Sequence, residues 1–239
     1  MFFLMPMLPI LSVYILAAVL PAVILLCYIY KHDTVEKEPP KLLIRLLFMG
    51  VLAALAATVL ETIFQTALDL LVDPGSPVYT ILLAFLVVSM VEEGVKFWLL
   101  KRSTWNHPAF NYRFDGIVYA VFTSLGFAAY ENITYVLHYG MSVALPRALL
   151  AIPGHMSFAV IMGIFYGRAR ACRGRGELRG MVWNLRASYV CAVVLHGIYD
   201  TCAMIGTGGS TVAFLLFVAA MFFVVFRLIK KESAADMPI

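Results

Sequence analysis

The chain has 239 residues, 62% of them hydrophobic and only 13% charged, and its mean hydropathy is +0.90. A water-soluble domain cannot hide that much apolar surface, so the composition excludes one and predicts an all-α integral membrane protein. The formal net charge of +4 is small and unevenly placed, which points to membrane topology rather than to a nucleic-acid partner.

A membrane span needs about 20 apolar residues. The N-terminus, MFFLMPMLPI, lacks a basic leader and a clear small-residue cleavage site, and reads as the start of a retained first span. Seven segments qualify as spans, near 8–30, 42–64, 78–100, 114–138, 147–167, 184–206 and 211–229. They form a single integral membrane domain over 1–239, a bundle of about seven transmembrane helices joined by short connections.

Basic residues alternate from one connection to the next. Lys31, Lys37 and Lys41 flank the first connection, Lys101, Arg102 and Arg113 the third, and Arg168, Arg170, Arg173, Arg175 and Arg179 the fifth. Arg227, Lys230 and Lys231 close the tail, whereas DPGSP, GMSVALP and GTGGS carry no basic residue. The positive-inside rule therefore puts the N-terminus outside and the C-terminus in the cytoplasm, in the cell membrane. Of the four cysteines, Cys27, Cys191 and Cys202 lie in apolar segments and read as packing residues; Cys172, in a basic loop, has a lipidation context.

Within the spans the misfits are Glu92, Glu93 and Lys96, then Glu131, Asn132 and His138, then His155, then His196 and Asp200. A charged residue at mid-helix costs about 2.5–3.5 kcal/mol, so the five charged groups would cost roughly 12–18 kcal/mol unpaired. That rivals the whole stability of an ordinary domain, about 5–15 kcal/mol. They must pair, share protons or line water. Lys96 lies four residues from Glu92 and three from Glu93, Phe127 four from Glu131, and His196 four from Asp200, so each set occupies one helix face.

Depth supports convergence. At about 1.5 Å per residue from the outer ends, Glu131 lies about 10 Å down, His155 about 12 Å, His196 about 15 Å, Asp200 about 9 Å and Glu92 about 20 Å. These overlapping levels predict one buried site. The stripe Thr58, Glu61, Thr62, Gln65 and Asp69 reads more simply as an outer polar face than as an access route. Arg147 and Arg186 read as interfacial anchors, His138 as a helix contact, and Ala159, Gly163 and Gly167 as a close-packing face.

The pattern resembles the PrsW intramembrane proteases, distantly related to the type II CAAX-prenyl endopeptidases. The matching stretches are DTVEKEPPKLLIRLLFMG at 33–50, EEGVK at 92–96, FDGIVYAVFTSLGFAAYENITY at 114–135, His155 followed by GIFYGRAR, and LHGIYD at 195–200. A lone E-E-x-x-K is weak; with F-x-x-x-E, a fifth-span histidine and H-x-x-x-D in order it is specific.

The resemblance implies an intramembrane endopeptidase that cuts a membrane-anchored protein, such as an anti-sigma factor in first-site cleavage, with glutamate-activated water. It implies Glu92 as general base, Glu93 as its paired acid or support, and Lys96 holding the pair's charge. His155 and His196 would polarise the carbonyl or bind the oxyanion, Asp200 would orient His196, and Glu131 with Asn132 would complete the site. No Ser or Cys lies beside a base, which disfavours a covalent intermediate. No cofactor is favoured; zinc is the alternative, with His155, His196, Glu131 and Asp200 as candidate ligands. The residues alone leave two other classes open, a proton-coupled transporter or channel and a non-catalytic membrane scaffold. They say nothing about oligomeric state.

Overall fold

The computed structural model describes residues 7–206 and 208–239, with side chains from residue 11; the first six residues, where the retained span was expected to begin, lie outside it. Seven long helices follow one another. They are α1 (Met7–His32), α2 (Pro40–Leu71), α3 (Pro77–Thr104), α4 (Asp115–Tyr139), α5 (Met141–Gly174), α6 (Leu178–Ile205) and α7 (Gly208–Ala234). Each overlaps one of the seven expected spans. No β-sheet forms among the described residues, whose one extended pairing is an isolated bridge between Tyr112 and Pro238.

Six of these helices are long and apolar enough to cross a membrane. The seventh, α4, has 25 residues, a length of about 37 Å, but is less apolar. Its position explains this. Every residue from Asp115 to Ala128 is buried by neighbouring helices, so the first half of α4 faces protein rather than lipid. Around it, Leu16, Phe48, Trp98, Leu216 and Phe223 stand exposed as a lipid-facing belt.

Glycines set how closely α4 is gripped. A Cβ on Gly50 of α2 would come within 2.6 Å of the Phe127 amide nitrogen, and one on Gly126 would collide with the Leu47 backbone. On the other flank a Cβ on Gly163 of α5 would lie 2.5 Å from Ile117 Cα, and one on Gly116 2.7 Å from the Gly163 oxygen. The four-residue spacing of Ala159, Gly163 and Gly167 thus serves close packing, as expected, and α2 and α5 clamp α4 backbone against backbone. Ser124 Oγ adds a hydrogen bond to the His155 carbonyl at 3.0 Å, which fixes the α5 register beside α4.

Two π-helical stretches precede the polar residues. Leu83–Ser89 in α3 and Arg147–Ala151 in α5 are π-helical, so the backbone widens just before Glu92 and just before His155. The hydropathy pattern gives no sign of either.

The basic connections meet at one end of the bundle. Asn111 Nδ2 donates to Glu36 Oε2 at 3.1 Å, Arg173 Nη1 to Asn106 Oδ1 at 2.7 Å, and the Ile239 amide to the Asn111 carbonyl at 2.9 Å. Trp105, Phe110 and Tyr166 plug this end, with Phe110 stacked on Tyr166 at 5.2 Å and Thr104 Oγ1 2.9 Å from the Tyr166 hydroxyl. Cys172 is buried here, its Sγ 3.8 Å from Asn184 Nδ2, so it is not presented for lipidation.

Candidate active site

A cavity of about 520 Å³ opens in the half of the bundle remote from the basic connections. Its walls come from Thr58 and Glu61 of α2, Glu92 of α3, Phe127 and Glu131 of α4, Arg147, His155 and Phe158 of α5, and His196, Tyr199 and Asp200 of α6. The volume suits a short segment of an extended chain with water.

The floor is the E-E-x-x-K turn of α3. Lys96 Nζ lies 2.9 Å from Glu92 Oε2 and 2.8 Å from Glu93 Oε1, and Lys96 is 1% exposed. The same nitrogen is 3.3 Å from His155 Nδ1 and sits 3.8 Å from the Phe127 ring centroid, a cation–π contact. One ammonium therefore satisfies two carboxylates from its own helix and an imidazole from another. This is the pairing that the cost of buried charge demands.

The adjacent glutamates part company. Glu92 lines the cavity, whereas Glu93 is 0% exposed and contributes nothing to its wall. Glu93 Oε1 also receives His196 Nδ1 at 3.0 Å, so it ties α3 to α6. Successive residues on a helix point about 100° apart, and here that rotation separates an accessible carboxylate from an enclosed one.

Both histidines are held from two sides. An ammonium only donates, so His155 Nδ1 accepts from Lys96 and its Nε2–H donates to Glu131 Oε2 at 2.9 Å. His196 has Glu93 at Nδ1 and Asp200 Oδ2 at 3.3 Å from Nε2, the longer of its two contacts. The rings approach edge to face at 5.5 Å between centroids, and Phe158 stacks on His196 at 4.6 Å. All four ring nitrogens thus have protein partners.

Two expectations change. Asn132 does not face the cavity: its Nδ2 donates to the Ala18 carbonyl at 2.7 Å and its Oδ1 accepts from Arg147 Nε at 2.9 Å, so it braces α4 against α1. Arg147 is no mere interfacial anchor. It lines the cavity, pairs with Glu131 Oε2 at 3.0 Å and lies 3.8 Å from the Tyr135 ring centroid. The polar stripe of α2 also divides. Thr58 and Glu61 reach the cavity, while Thr62 bonds its own helix and Asp69 accepts from the Tyr79 hydroxyl at 2.5 Å. His138 and Arg186 are exposed and outside the site.

Three donor groups come close enough for a metal: Glu92, Glu93 and His155 offer ligand atoms within 4.8 Å of one another. Of the ligands expected from the sequence only His155 belongs to this set; His196, Glu131 and Asp200 do not.

Comparison with known proteins shows the family of the chain. The model of a family described as PrsW family intramembrane metalloprotease matches residues 38–228. The Protease PrsW of Geobacillus kaustophilus is 36% identical over 185 residues, covering 77% of this chain and 76% of that protein. That of Bacillus subtilis is 34% identical over 184 residues, covering 77% and 79%. That of Halalkalibacterium halodurans is 30% identical over 220 residues, covering 92% and 97%. No solved structure matches significantly. The fold is that of a multi-pass membrane protein, and these matches put it in the intramembrane protease class. Within that class the chain belongs to the PrsW family.

Proposed function

We propose that this single membrane-embedded unit is an endopeptidase that hydrolyses a peptide bond of a membrane-anchored protein, such as an anti-sigma factor, with water activated by Glu92. The observation that carries the reading is the Glu92 carboxylate on the cavity wall, held by Lys96 and faced by two histidines from other helices.

In this reading a water between Glu92 and the scissile carbonyl gives its proton to Glu92 as its oxygen attacks the carbon. The negative charge passes to the carbonyl oxygen. His196 Nε2–H turns towards it, giving up the long contact with Asp200, and so stabilises the tetrahedral intermediate. Glu92 then passes the proton to the departing amine, the C–N bond breaks, and a carboxyl and an amine remain. Glu93 and Lys96 hold the base in place, Glu131 orients His155, and Asp200 orients His196.

The donor set Glu92, Glu93 and His155 is chemically suited to zinc, but Lys96 Nζ already lies within 3.3 Å of all three. A metal needs donor distances of about 2.0–2.2 Å and would put a second cation against that ammonium. With Lys96 in this position the residues do not fit a metal, and the proposed steps use none.

We place the basic end in the cytoplasm by the positive-inside rule, which opens the cavity towards the outer face. The test is cleavage of tagged single-span peptides by the purified protein in liposomes. Hydrolysis by the wild type and its loss in Glu92→Gln and His196→Ala variants that still insert is the expected result. Normal cleavage by both variants would refute the assignment.

A further inference from the structure

Glu61 stands apart from every other carboxylate of the cavity. Glu92 and Glu93 have Lys96, Glu131 has Arg147 and His155, and Asp200 has His196. Glu61 lines the same cavity from α2, its Oε1 is buried without a hydrogen-bond partner, and no described cation pairs with it. It lies within electrostatic range of Glu92, Glu131, Lys96 and His196. A buried carboxylate oxygen without a partner is costly, and the carboxylates nearest to this half-buried side chain are like-charged.

The charges of the whole cluster tell the same story. Five carboxylates (Glu61, Glu92, Glu93, Glu131 and Asp200) face one lysine, one arginine and two imidazoles. Even with both imidazoles protonated the set is one positive charge short. The missing charge is wanted at Glu61, which lies within electrostatic range of Glu92. The threonines beside it do not offer an alternative, because Thr58 Oγ1 donates to the Ala54 carbonyl, 2.9 Å away, and Thr62 Oγ1 to the Thr58 carbonyl, 2.7 Å away.

We propose that Glu61 forms a specificity subsite that receives a lysine or arginine side chain of the substrate, within a few residues of the scissile bond. An ammonium or guanidinium there gives the unpartnered carboxylate oxygen its partner and fixes the register of the chain over Glu92. Substrates with an acidic residue at that position are excluded by Glu61 together with Glu92 and Glu131.

The proposal rests on the peptidase reading, and one experiment separates the two. Full-length protein in liposomes is given a panel of single-span peptides carrying Lys, Arg, Met or Glu at each of four positions on either side of the cut. The wild type is expected to prefer Lys or Arg over Met at one position by about tenfold or more in kcat/KM, with Glu poorest. Glu61→Gln should bring that ratio close to one, and Glu61→Lys should shift the preference to Glu. If the wild type cuts the panel without charge preference, or Glu61→Gln keeps the wild-type ratio, the subsite is refuted while the peptidase stands. If the wild type cuts nothing, both fall.

Discussion

His196 Nδ1 lies 3.0 Å from Glu93 Oε1, a contact between α6 and α3 made wholly inside the protein. It gives the second glutamate of the pair a neighbour on another helix and leaves the first to face the cavity. The two substitutions should therefore fail differently. Glu92→Gln is expected to insert and melt like the wild type while hydrolysis falls by about 10²–10⁴-fold, the usual contribution of a general base. Glu93→Gln leaves Lys96 and His196 short of a counter-charge and should lose about 3–5 kcal/mol of stability. Thermal unfolding in detergent beside the peptide assay distinguishes the two.

Lys96 bears on the metal question. With its ammonium among the three donors, the wild type should keep full activity in a strong chelator and carry less than one zinc per chain by elemental analysis. Lys96→Met should abolish hydrolysis, because two carboxylates lose their shared cation. Loss of wild-type activity on chelation, restored by zinc, would overturn the metal-free assignment.

Arg147 holds Glu131, which in turn holds His155. Arg147→Ala is expected to lower kcat by about tenfold to a hundredfold with little change in KM, because it acts through Glu131 on His155 rather than on the substrate. Arg147→Lys should restore only part, since an ammonium cannot bond Glu131 and Asn132 together in the way the guanidinium fork does.

At the basic end the carboxyls predict an unusual pH response. Burial pushes Glu38 up to about 7 and Asp33 up to about 6, and burial also raises Asp236. Around them lie Glu36, Lys37, Asp115 and Tyr119, and Asp236 accepts from the Phe114 amide at 2.8 Å. A carboxyl raised in this way holds more protons in the folded state than in the unfolded one. Its stabilisation is therefore complete in acid and lost as pH rises through about 6 to 7. The tail should dock firmly at pH 5 and loosen at pH 8, read as the distance between spin labels at positions 34 and 237. Glu38→Gln should flatten the response.

Much of this could be read from the chain beforehand. Apolar runs broken by DPGSP, GMSVALP and GTGGS mark the helices, because a span must be continuous and its turns polar. The depth count brings Glu92, Glu131, His155, His196 and Asp200 to one level because misplaced charges have few ways to be satisfied in lipid. Arg147 and Glu61 escaped because charged residues towards span ends have an ordinary explanation in reaching for the interface. Asn132, one residue beyond Glu131, faces α1 and meets the site only through Arg147. Which glutamate of the pair faces inwards depends on the turn before it, and nothing in LAFLVVS announces that turn.

That widened turn at Leu83–Ser89 acts as a spacer in the thread of α3. A π-helical turn amounts to an α-helix with one residue too many. Removing one residue there would close the wide turn and leave Glu92 in place, whereas winding all seven residues as regular α-helix would swing everything beyond them by about 100° and carry Glu92 off the cavity wall. The wide turn of this unremarkable apolar stretch, rather than its composition, is what aims the glutamate.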